Sequence, residues 1–332
     1  MIDEIAADDG IRPKTLLVRD PHTMRYGHIS GVDKPVSRLV MGTMVVHTER
    51  LPFSYGLLDH FYEIGGTALD TAHVYGGGHS EKAVGAWVRS RGVRDNVVVI
   101  AKGAATADVT PELLTREMLV SLDRLDIGAA DLYLMHRDNI NVPVSEFVDC
   151  LELHRQSGRI RAYGGSNWSS ARLEAANAYA AKIGASGFVA SSPNFSLAMW
   201  NEPMWSDCIS ASHRSEREWY EKSRMPLLAW SSQASGFFTG RYRKDEPVTP
   251  CIAEVVRVWF NDKNFERLSR AQTIANKYGV TALQVALAYV LLQDMEIFAL
   301  IGPHTLDETK TSAHALDVTL SPEDVTWLRA ED

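Results

Sequence analysis

The sequence predicts an α/β fold, a (β/α)8 TIM barrel with an N-terminal β-hairpin and long loops at its C-terminal face. Strand and helix signals alternate along the chain, which is typical of parallel strands joined by helices. Polar side chains stand where several apolar runs end, as they do around the mouth of such a barrel. The chain has 332 residues, 45% of them hydrophobic, so it is long enough to bury one large core.

The N-terminal region is predicted to precede the barrel. Residues 1–23 have mixed polarity and no clear period, so we predict an N-terminal arm without an assigned role. Residues 24–332 are predicted to form a single barrel domain. Its first element is a hairpin that starts at Met24, with Gly31 and Asp33 as turn residues.

Eight apolar runs are predicted to be the barrel strands. A run such as 97–101 is apolar throughout, as expected of a parallel strand that is buried on both faces. The predicted strands lie near 39–42, 66–70, 97–101, 131–135, 161–165, 187–191, 227–230 and 298–301.

Helices are predicted between these strands from their start signals. Thr110-Pro111 combines a capping residue with proline in the first turn. Further helices are predicted to begin near Ser80, Ser145, Ser169 and Thr281.

Two connections, about 196–225 and 231–264, are longer than a barrel needs. Long structureless loops in compact folds are usually functional or mobile. Because both follow strand C-termini, we expect them to surround the mouth of the barrel.

Composition excludes several classes of function. The net charge is −8 and no basic stripe is visible, which argues against nucleic acid as a partner. No apolar run is long enough to span a membrane, and the N-terminus lacks a signal pattern, so we expect a cytoplasmic protein. The three cysteines are far apart, which predicts free thiols and no metal site.

Four polar side chains are the candidate catalytic residues. An apolar run ends at Asp70, and the Gly-rich loop that follows carries Tyr75. Two later runs lead into Lys102 and His136. The C-terminal ends of barrel strands build the active site, so we expect these four side chains to meet there.

The pattern Asp-Thr-Ala-x-x-Tyr-Gly at 70–76, followed by Lys102 and His136, resembles the aldo-keto reductase superfamily. The resemblance extends from about Met24 to about Leu328. It implies a hydride transfer between a nicotinamide cofactor and the carbonyl of an aldehyde, ketone or oxidised sugar, with alcohol oxidation as the reverse reaction. It also implies that Tyr75 is the general acid and base.

The chemistry explains why such a set is needed. Negative charge grows on the carbonyl oxygen during reduction, so a proton donor must stand beside that oxygen. A cation within about 4–6 Å lowers the pKa of an acid by roughly 1–3 units, so Lys102, held by Asp70, is expected to lower the pKa of Tyr75. His136 would orient the carbonyl oxygen through a hydrogen bond. Each residue alone has a structural explanation, but the four in this order favour catalysis.

No Gly-x-Gly-x-x-Gly fingerprint is present, so the cofactor site is predicted from the resemblance. The resemblance places Ser166 and Asn167 at the nicotinamide carboxamide and Trp230 on the nicotinamide ring. Ser192 stands where the family usually has glutamine, so the carboxamide contacts would be either weaker or bridged by water. The predicted phosphate-binding turn contains Ser231, Gln233, Gly236 and Arg241.

The segment after Gly302 is expected to approach the adenosine ribose. Here Glu308 replaces a usual arginine and Ser312 a usual asparagine. A carboxylate repels a 2′-phosphate but accepts a hydrogen bond from a ribose hydroxyl. Lys310 or His304 could restore phosphate binding, and we expect NADP(H) to be slightly favoured over NAD(H).

The long loop after the sixth strand contains Trp200, Trp205 and Trp219. Aromatic faces suit sugars and aryl carbonyls, so we predict that Trp200 and Trp205 bind a small-molecule substrate. Alternatively, these tryptophans hold the loop in place.

Two other functions stay open. One is a non-catalytic nicotinamide-binding regulatory subunit, because barrels resembling this family serve as partners of potassium channels. The other is an unrelated barrel enzyme in which Lys102 forms a Schiff base. The sequence predicts neither the natural substrate nor the oligomeric state.

Overall fold

The predicted barrel is confirmed. A computed structural model describes residues 11–12, 14–17, 24–245 and 247–331. Eight parallel strands form a closed barrel in chain order, and the last strand pairs with the first. They are β3 (Leu39–Gly42), β4 (Ala68–Asp70), β5 (Val98–Gly103), β6 (Ala130–Met135), β7 (Ile160–Ser166), β8 (Phe188–Ser192), β9 (Leu227–Ala229) and β10 (Ile297–Ile301). Most strand residues are fully buried, which explains their apolar sequences.

The N-terminal hairpin is also present. β1 (Tyr26–Gly27) pairs antiparallel with β2 (Val36–Ser37), and Gly31 adopts a left-handed φ of 78° in the turn. Lys34 lies 2.8 Å from the carboxylate of Asp131, which is near the N-terminal end of β6. The hairpin therefore lies at the end of the barrel opposite the strand C-termini.

Most of the predicted arm, residues 1–23, lies outside the described residues. In its described part, Leu16 is buried and Lys14 lies 2.8 Å from Asp59. These contacts join residues 14–16 to the outer helices, and the division at residue 24 stays a prediction.

Helices surround the barrel, and several begin at the predicted capping residues. The side chains of Thr110, Ser169 and Thr281 each accept a backbone N–H at a helix start. The helices are α1 (Leu51–Glu63), α2 (His79–Arg91), α3 (Pro111–Leu125), α4 (Val144–Gln156), α5 (Ser170–Ile183), α6 (Arg214–Ser223), α7 (Ala253–Trp259), α8 (Asp262–Tyr278), α9 (Ala282–Leu291), α10 (Leu306–His314) and α11 (Pro322–Leu328).

The two long connections are partly helical, which differs from the expectation of structureless loops. The first contains α6, and the second contains α7, the start of α8 and a 3-10 helix at Ala234–Thr239. The buried tyrosine of α6, Tyr220, shows why: an amphipathic segment gains stability when its apolar side packs on the barrel.

Three findings concern the described residues only. None of their helices combines the length and apolar character needed to cross a membrane. Cys150, Cys208 and Cys251 are free thiols. No group of three or more metal-ligating side chains comes together in this part of the chain.

Candidate active site

The C-terminal ends of three neighbouring strands bring the four candidate catalytic residues together. Asp70 ends β4, Lys102 is the penultimate residue of β5, and His136 directly follows β6. The Lys102 Nζ lies 2.8 Å from the Asp70 Oδ1, and the two side chains are only 2% and 1% exposed. Because these strands are neighbours in the barrel, residues far apart in sequence form one buried ion pair, Lys102–Asp70, close to His136.

Backbone hydrogen bonds fix how far each connecting segment rises above the barrel. The His73 N–H donates to the Lys102 carbonyl at 2.7 Å, which joins the segment after β4 to β5. The His136 N–H donates to the Gly103 carbonyl, also at 2.7 Å. Both loops thus continue the strand pairing before they turn away.

Tyr75 lies next to two other members of the set. The Lys102 Nζ is 5.6 Å from the centroid of the Tyr75 ring. The rings of Tyr75 and His136 are 5.9 Å apart and nearly perpendicular, at 80°. Tyr75 as a whole residue is partly exposed, but its hydroxyl end is enclosed, since burial is the largest influence on its pKa.

The pKa of Lys102 is raised above its usual range. Burial alone would lower it, but the Asp70 carboxylate and the Tyr75 hydroxyl outweigh burial. Lys102 is therefore an ammonium at neutral pH, and its charge is available to a neighbouring phenolate.

Burial raises the pKa of Tyr75 overall, although Lys102 lowers it in the direction that the sequence predicts. Burial makes the largest contribution and exceeds the opposing effect of Lys102, while Asp70 raises the pKa further. The expected net decrease in pKa is not found, because the burial of the phenol does not show in the sequence. In the protein without cofactor, Tyr75 is consequently a protonated hydroxyl at neutral pH.

The pKa of His136 is well below its usual range. Burial is the main cause, and the positive charges of Lys102 and Arg137 add to it. The imidazole is therefore neutral near pH 7, with one N–H donor and one acceptor nitrogen. Its Nδ1 is buried without a hydrogen-bond partner among the described residues.

Three residues predicted for the carboxamide lie together beside His136. The Ser166 hydroxyl donates to the Ser192 carbonyl at 2.7 Å. The Asn167 amide donates to the His136 carbonyl at 3.2 Å, and its backbone is left-handed with a φ of 59°. The Ser192 hydroxyl donates to Leu228 on β9, so it is already engaged within the barrel wall.

Trp230 and the turn that follows suit an anionic cofactor. The Trp230 Nε1 is buried without a hydrogen-bond partner among the described residues. Ser231, Ala234, Ser235 and Gly236 are left-handed, with φ values of 48°, 48°, 53° and 75°. Left-handed residues can aim backbone N–H groups into one anion-binding concavity. The Arg241 guanidinium lies beside this turn, because a Cβ added to Gly236 would be 3.0 Å from its Nη2.

The second half of the predicted cofactor region contacts the first. The Gln233 side chain donates to the Ser312 hydroxyl of α10 at 3.2 Å. Gly302 directly follows β10, and a Cβ added there would meet nothing within 4 Å. The space beside this residue is open, as a ligand approaching the backbone would need.

Glu308 has a structural role that the sequence argument did not foresee. Its carboxylate accepts the His304 N–H at 2.6 Å, and its own N–H donates to the Thr305 hydroxyl, the N-cap of α10. Acidic side chains near a helix N-terminus are stabilised by the helix dipole. Glu308 therefore caps its own helix, and its carboxylate is engaged before any ligand arrives.

A cavity of about 870 Å³ opens at the C-terminal face. Trp205 and Arg137 line it, together with residues 105–107, the segment 202–207 and Arg257. The Trp205 side chain is 42% exposed, and its ring lies 5.5 Å from that of Trp230.

The other two loop tryptophans are placed differently. Trp200 packs beside Trp230 at 5.5 Å but does not line the cavity. Trp219 lies on α6 and donates to Glu174 of α5, so it does not belong to the aromatic mouth that we expected. Trp205 is thus the best placed of the three to meet a substrate.

Arg137 is a cavity residue that the sequence argument missed. It donates from Nη1 to the His136 carbonyl at 2.9 Å and from Nε to the Ser206 carbonyl at 3.2 Å. Arg137 thereby joins the segment at His136 to the segment 202–207. The available signal was its position directly after His136.

Comparisons with known proteins find relatives that match almost the whole chain. The model of the Aldo/keto reductase family matches residues 38–331. A Bacillus subtilis protein named uncharacterized oxidoreductase YrpG is 26% identical over 322 residues, which cover 90% of this chain and 93% of that protein. A rice protein named probable voltage-gated potassium channel subunit beta is 24% identical, with 92% of this chain and 96% of that protein covered.

A solved structure gives the same result for the fold. The crystal structure of an aldo-keto reductase from Klebsiella pneumoniae in complex with NADPH has a TM-score of 0.68 and 23% identity to this chain. The match covers 92% of this chain and 94% of that one. At this level of identity the likeness shows a shared fold.

Proposed function

The chain belongs to the aldo/keto reductase family, and we propose that it is an NAD(P)-dependent oxidoreductase acting on small carbonyl compounds or the corresponding alcohols. The substrate would be an aldehyde, a ketone or an oxidised sugar. One observation carries the proposal: the Tyr75 ring lies next to Lys102, which is paired with the buried Asp70, and next to a neutral His136 at the mouth of the barrel.

Each of the four residues has a distinct role in this proposal. The bound nicotinamide supplies the hydride in reduction and accepts it in alcohol oxidation. Tyr75 gives its hydroxyl proton to the carbonyl oxygen as negative charge grows there. Lys102 stabilises the phenolate that remains, and Asp70 holds the ammonium in place. His136 donates a hydrogen bond to the same oxygen, and Tyr75 regains its proton from solvent.

The cofactor would be held by the residues predicted from the sequence. Asn167 and Ser166 lie beside His136, where a carboxamide needs short polar groups. The left-handed turn after Trp230 and the Arg241 guanidinium supply donors for phosphate groups.

We further propose a preference for NADP(H). The Klebsiella pneumoniae structure with the same fold contains NADPH. The Glu308 carboxylate already accepts the His304 N–H at the start of its own helix. It should therefore repel a 2′-phosphate less than the sequence suggested. Titration of the intrinsic tryptophan fluorescence with NADPH and with NADH gives both dissociation constants. Tighter binding of NADH would contradict this preference.

The substrate would enter through the cavity beside Trp205. The indole face offers an apolar surface, while Arg137 offers donors close to His136. Such a lining suits a small or medium carbonyl compound with a flat apolar part and at least one further oxygen.

The cytoplasmic location remains a prediction.

The test is a panel of aldehydes, ketones and sugars with NADPH, and of alcohols with NADP+, followed by nicotinamide absorbance. We expect the wild-type protein to turn over at least one of these compounds and the Tyr75→Phe variant to lose this turnover. Cofactor binding without turnover of any compound would favour the non-catalytic regulatory subunit instead. The Schiff-base alternative is disfavoured, because the raised pKa of Lys102 keeps this amine protonated. Trapping of a carbonyl compound on Lys102 by borohydride would revive it.

A further inference from the structure

The loop that carries Tyr75 consists largely of glycine. The three glycines after Tyr75 are all left-handed, with φ values of 55°, 62° and 96° at Gly76, Gly77 and Gly78. Glycine gives up more backbone freedom on folding than any other residue, so this loop needs outside contacts to keep one conformation. A misplacement of about 1 Å in a reacting group can cost about 100-fold in rate.

Arg124 of α3 contacts the chain on both sides of this loop. Its Nη1 donates to the carbonyl of His73, two residues before Tyr75, at 2.9 Å. The same nitrogen donates to the Glu81 carboxylate, in the first turn of α2, at 3.0 Å. One guanidinium thus bridges the entry and the exit of the Tyr75 loop.

Gly78 makes this bridge possible. A Cβ added at Gly78 would collide with the guanidinium of Arg124 at its Cζ, Nε and Nη1 atoms. The exit of the loop therefore packs directly against the arginine. The third glycine of the loop serves a close approach as well as a left-handed φ.

The bridge is costly, which argues that it does more than stabilise the fold. The Glu81 side chain is fully buried, and its second oxygen has no hydrogen-bond partner among the described residues. A buried ion pair is weak evidence for stability, because desolvation can exceed the gain from attraction. Its contacts instead fix the geometry of one particular loop.

We propose that Arg124 is a positioning residue for the proton donor. Through the His73 carbonyl and Glu81 it holds the loop so that Tyr75 stays next to Lys102 and His136. Arg124 contacts none of these three side chains, so it acts only through the loop. This inference rests on the proposed function, because it gives Arg124 a part in the same reaction.

The experiment compares two arginine variants that disturb the same pair of helices. Arg124→Met removes both contacts to the loop. Arg89→Met is the matched control, because Arg89 of α2 donates to the carbonyls of Leu125 and Asp126 at the end of α3 and does not touch the loop. Arg124→Lys keeps a charge and one donating nitrogen, but its shorter side chain does not reach the position of the Arg124 Nη1 without a shift.

For Arg124→Met, kcat is expected to fall about 10- to 100-fold, while the dissociation constant for NADPH stays near that of wild type. Amide hydrogen exchange in a peptide covering residues 71–79 should become faster. Arg124→Lys should be intermediate in both readouts. Arg89→Met should change the unfolding midpoint while kcat and the exchange of residues 71–79 remain unchanged.

Two results would overturn the proposal. One is a wild-type kcat together with wild-type hydrogen exchange in Arg124→Met. The other is an equal fall in kcat and an equal increase in the exchange of residues 71–79 in Arg89→Met. If Arg124→Met does not fold, Glu81→Gln tests the same contact, with faster exchange of residues 71–79 expected and unchanged exchange counting against it. Absence of turnover in the wild-type protein would refute the proposed function instead, and the exchange readout would still decide whether Arg124 holds the loop.

Discussion

Two lysine–aspartate pairs with the same 2.8 Å separation lie at opposite ends of the barrel. At the end covered by the hairpin, Lys34 pairs with Asp131 and also donates to the carbonyls of Arg94 and Val97. The Asp131 carboxylate additionally accepts from Arg94 and from the Val99 N–H.

At the mouth, the surroundings of the pair differ. The only ion pair of the buried Asp70 carboxylate among the described residues is with Lys102. Lys102 faces Tyr75 as its second polar neighbour. The pair at the mouth therefore has few protein contacts, and one of them is a group that can lose a proton.

The pKa values show what these surroundings do. Burial lowers the pKa of Lys34 despite Asp131, whereas Asp70 and Tyr75 overcome burial and raise the pKa of Lys102. Lys34 also donates to neutral backbone carbonyls, and it holds the hairpin against this end of the barrel. Lys102 is held as a strong cation next to a phenol. The same two residue types thus stabilise the fold at one end and, in the proposed mechanism, stand beside the proton donor at the other.

The largest expected effect is that of Tyr75→Phe. Removing the hydroxyl should lower kcat by roughly 10²- to 10⁴-fold, the range for a lost general acid. Cofactor affinity should stay nearly unchanged. Steady-state kinetics and a binding titration measure both quantities, and a variant with wild-type turnover would remove Tyr75 from the mechanism.

The next test makes the same substitution at each of the two lysines and compares the results. Lys102→Met should lower kcat by about 100-fold or more, because the phenolate loses its cation. Lys34→Met should leave kcat close to wild type but destabilise the fold by about 1–3 kcal/mol, since buried acceptors lose their partner. Urea unfolding and kcat are measured on both variants. Equal losses of kcat would end the distinction between the two pairs.

The sequence predicted the fold well because its signals are local. Apolar strands that end in Asp70, Lys102 and His136 identify one face of a barrel, and Thr110 and Thr281 mark helix starts through their own side chains. These features depend on neighbouring residues alone.

Other features depend on contacts between distant segments, so the sequence could not reveal them. The raised pKa of Tyr75 arises from burial, which a loop sequence does not show. The Glu308 carboxylate accepts the His304 N–H at the start of its helix, and Arg124 donates from another helix to the His73 carbonyl in the segment before Tyr75.

A smaller effect is expected at the mouth, from Trp205→Ala. The loss of the exposed indole should raise KM about tenfold, equivalent to about 1.4 kcal/mol, with a smaller change in kcat. Trp219→Ala is the control, because that indole bonds to Glu174 outside the cavity. A greater rise in KM from Trp219→Ala would show that the cavity is not the substrate site.

A further expected effect, on stability and not on turnover, concerns pH and His136. The folded protein holds the pKa of His136 well below its usual range, so the unfolded chain binds a proton more readily. Stability should therefore fall as pH drops below about 6.5, with this residue contributing at most about 1.4 kcal/mol per pH unit. His136→Gln should reduce that slope in urea unfolding at pH 7 and pH 5. His304→Gln, at an exposed position, serves as the control. An unchanged slope in His136→Gln would contradict the expectation.

The most direct test of the central claim is a crystal structure of the protein with NADP+ and a bound carbonyl compound. We expect the carbonyl oxygen within hydrogen-bonding distance of both the Tyr75 hydroxyl and the His136 imidazole, with the Lys102 ammonium on the far side of the phenol. A carbonyl oxygen bound away from Tyr75, with the hydroxyl turned from Lys102 into solvent, would contradict it.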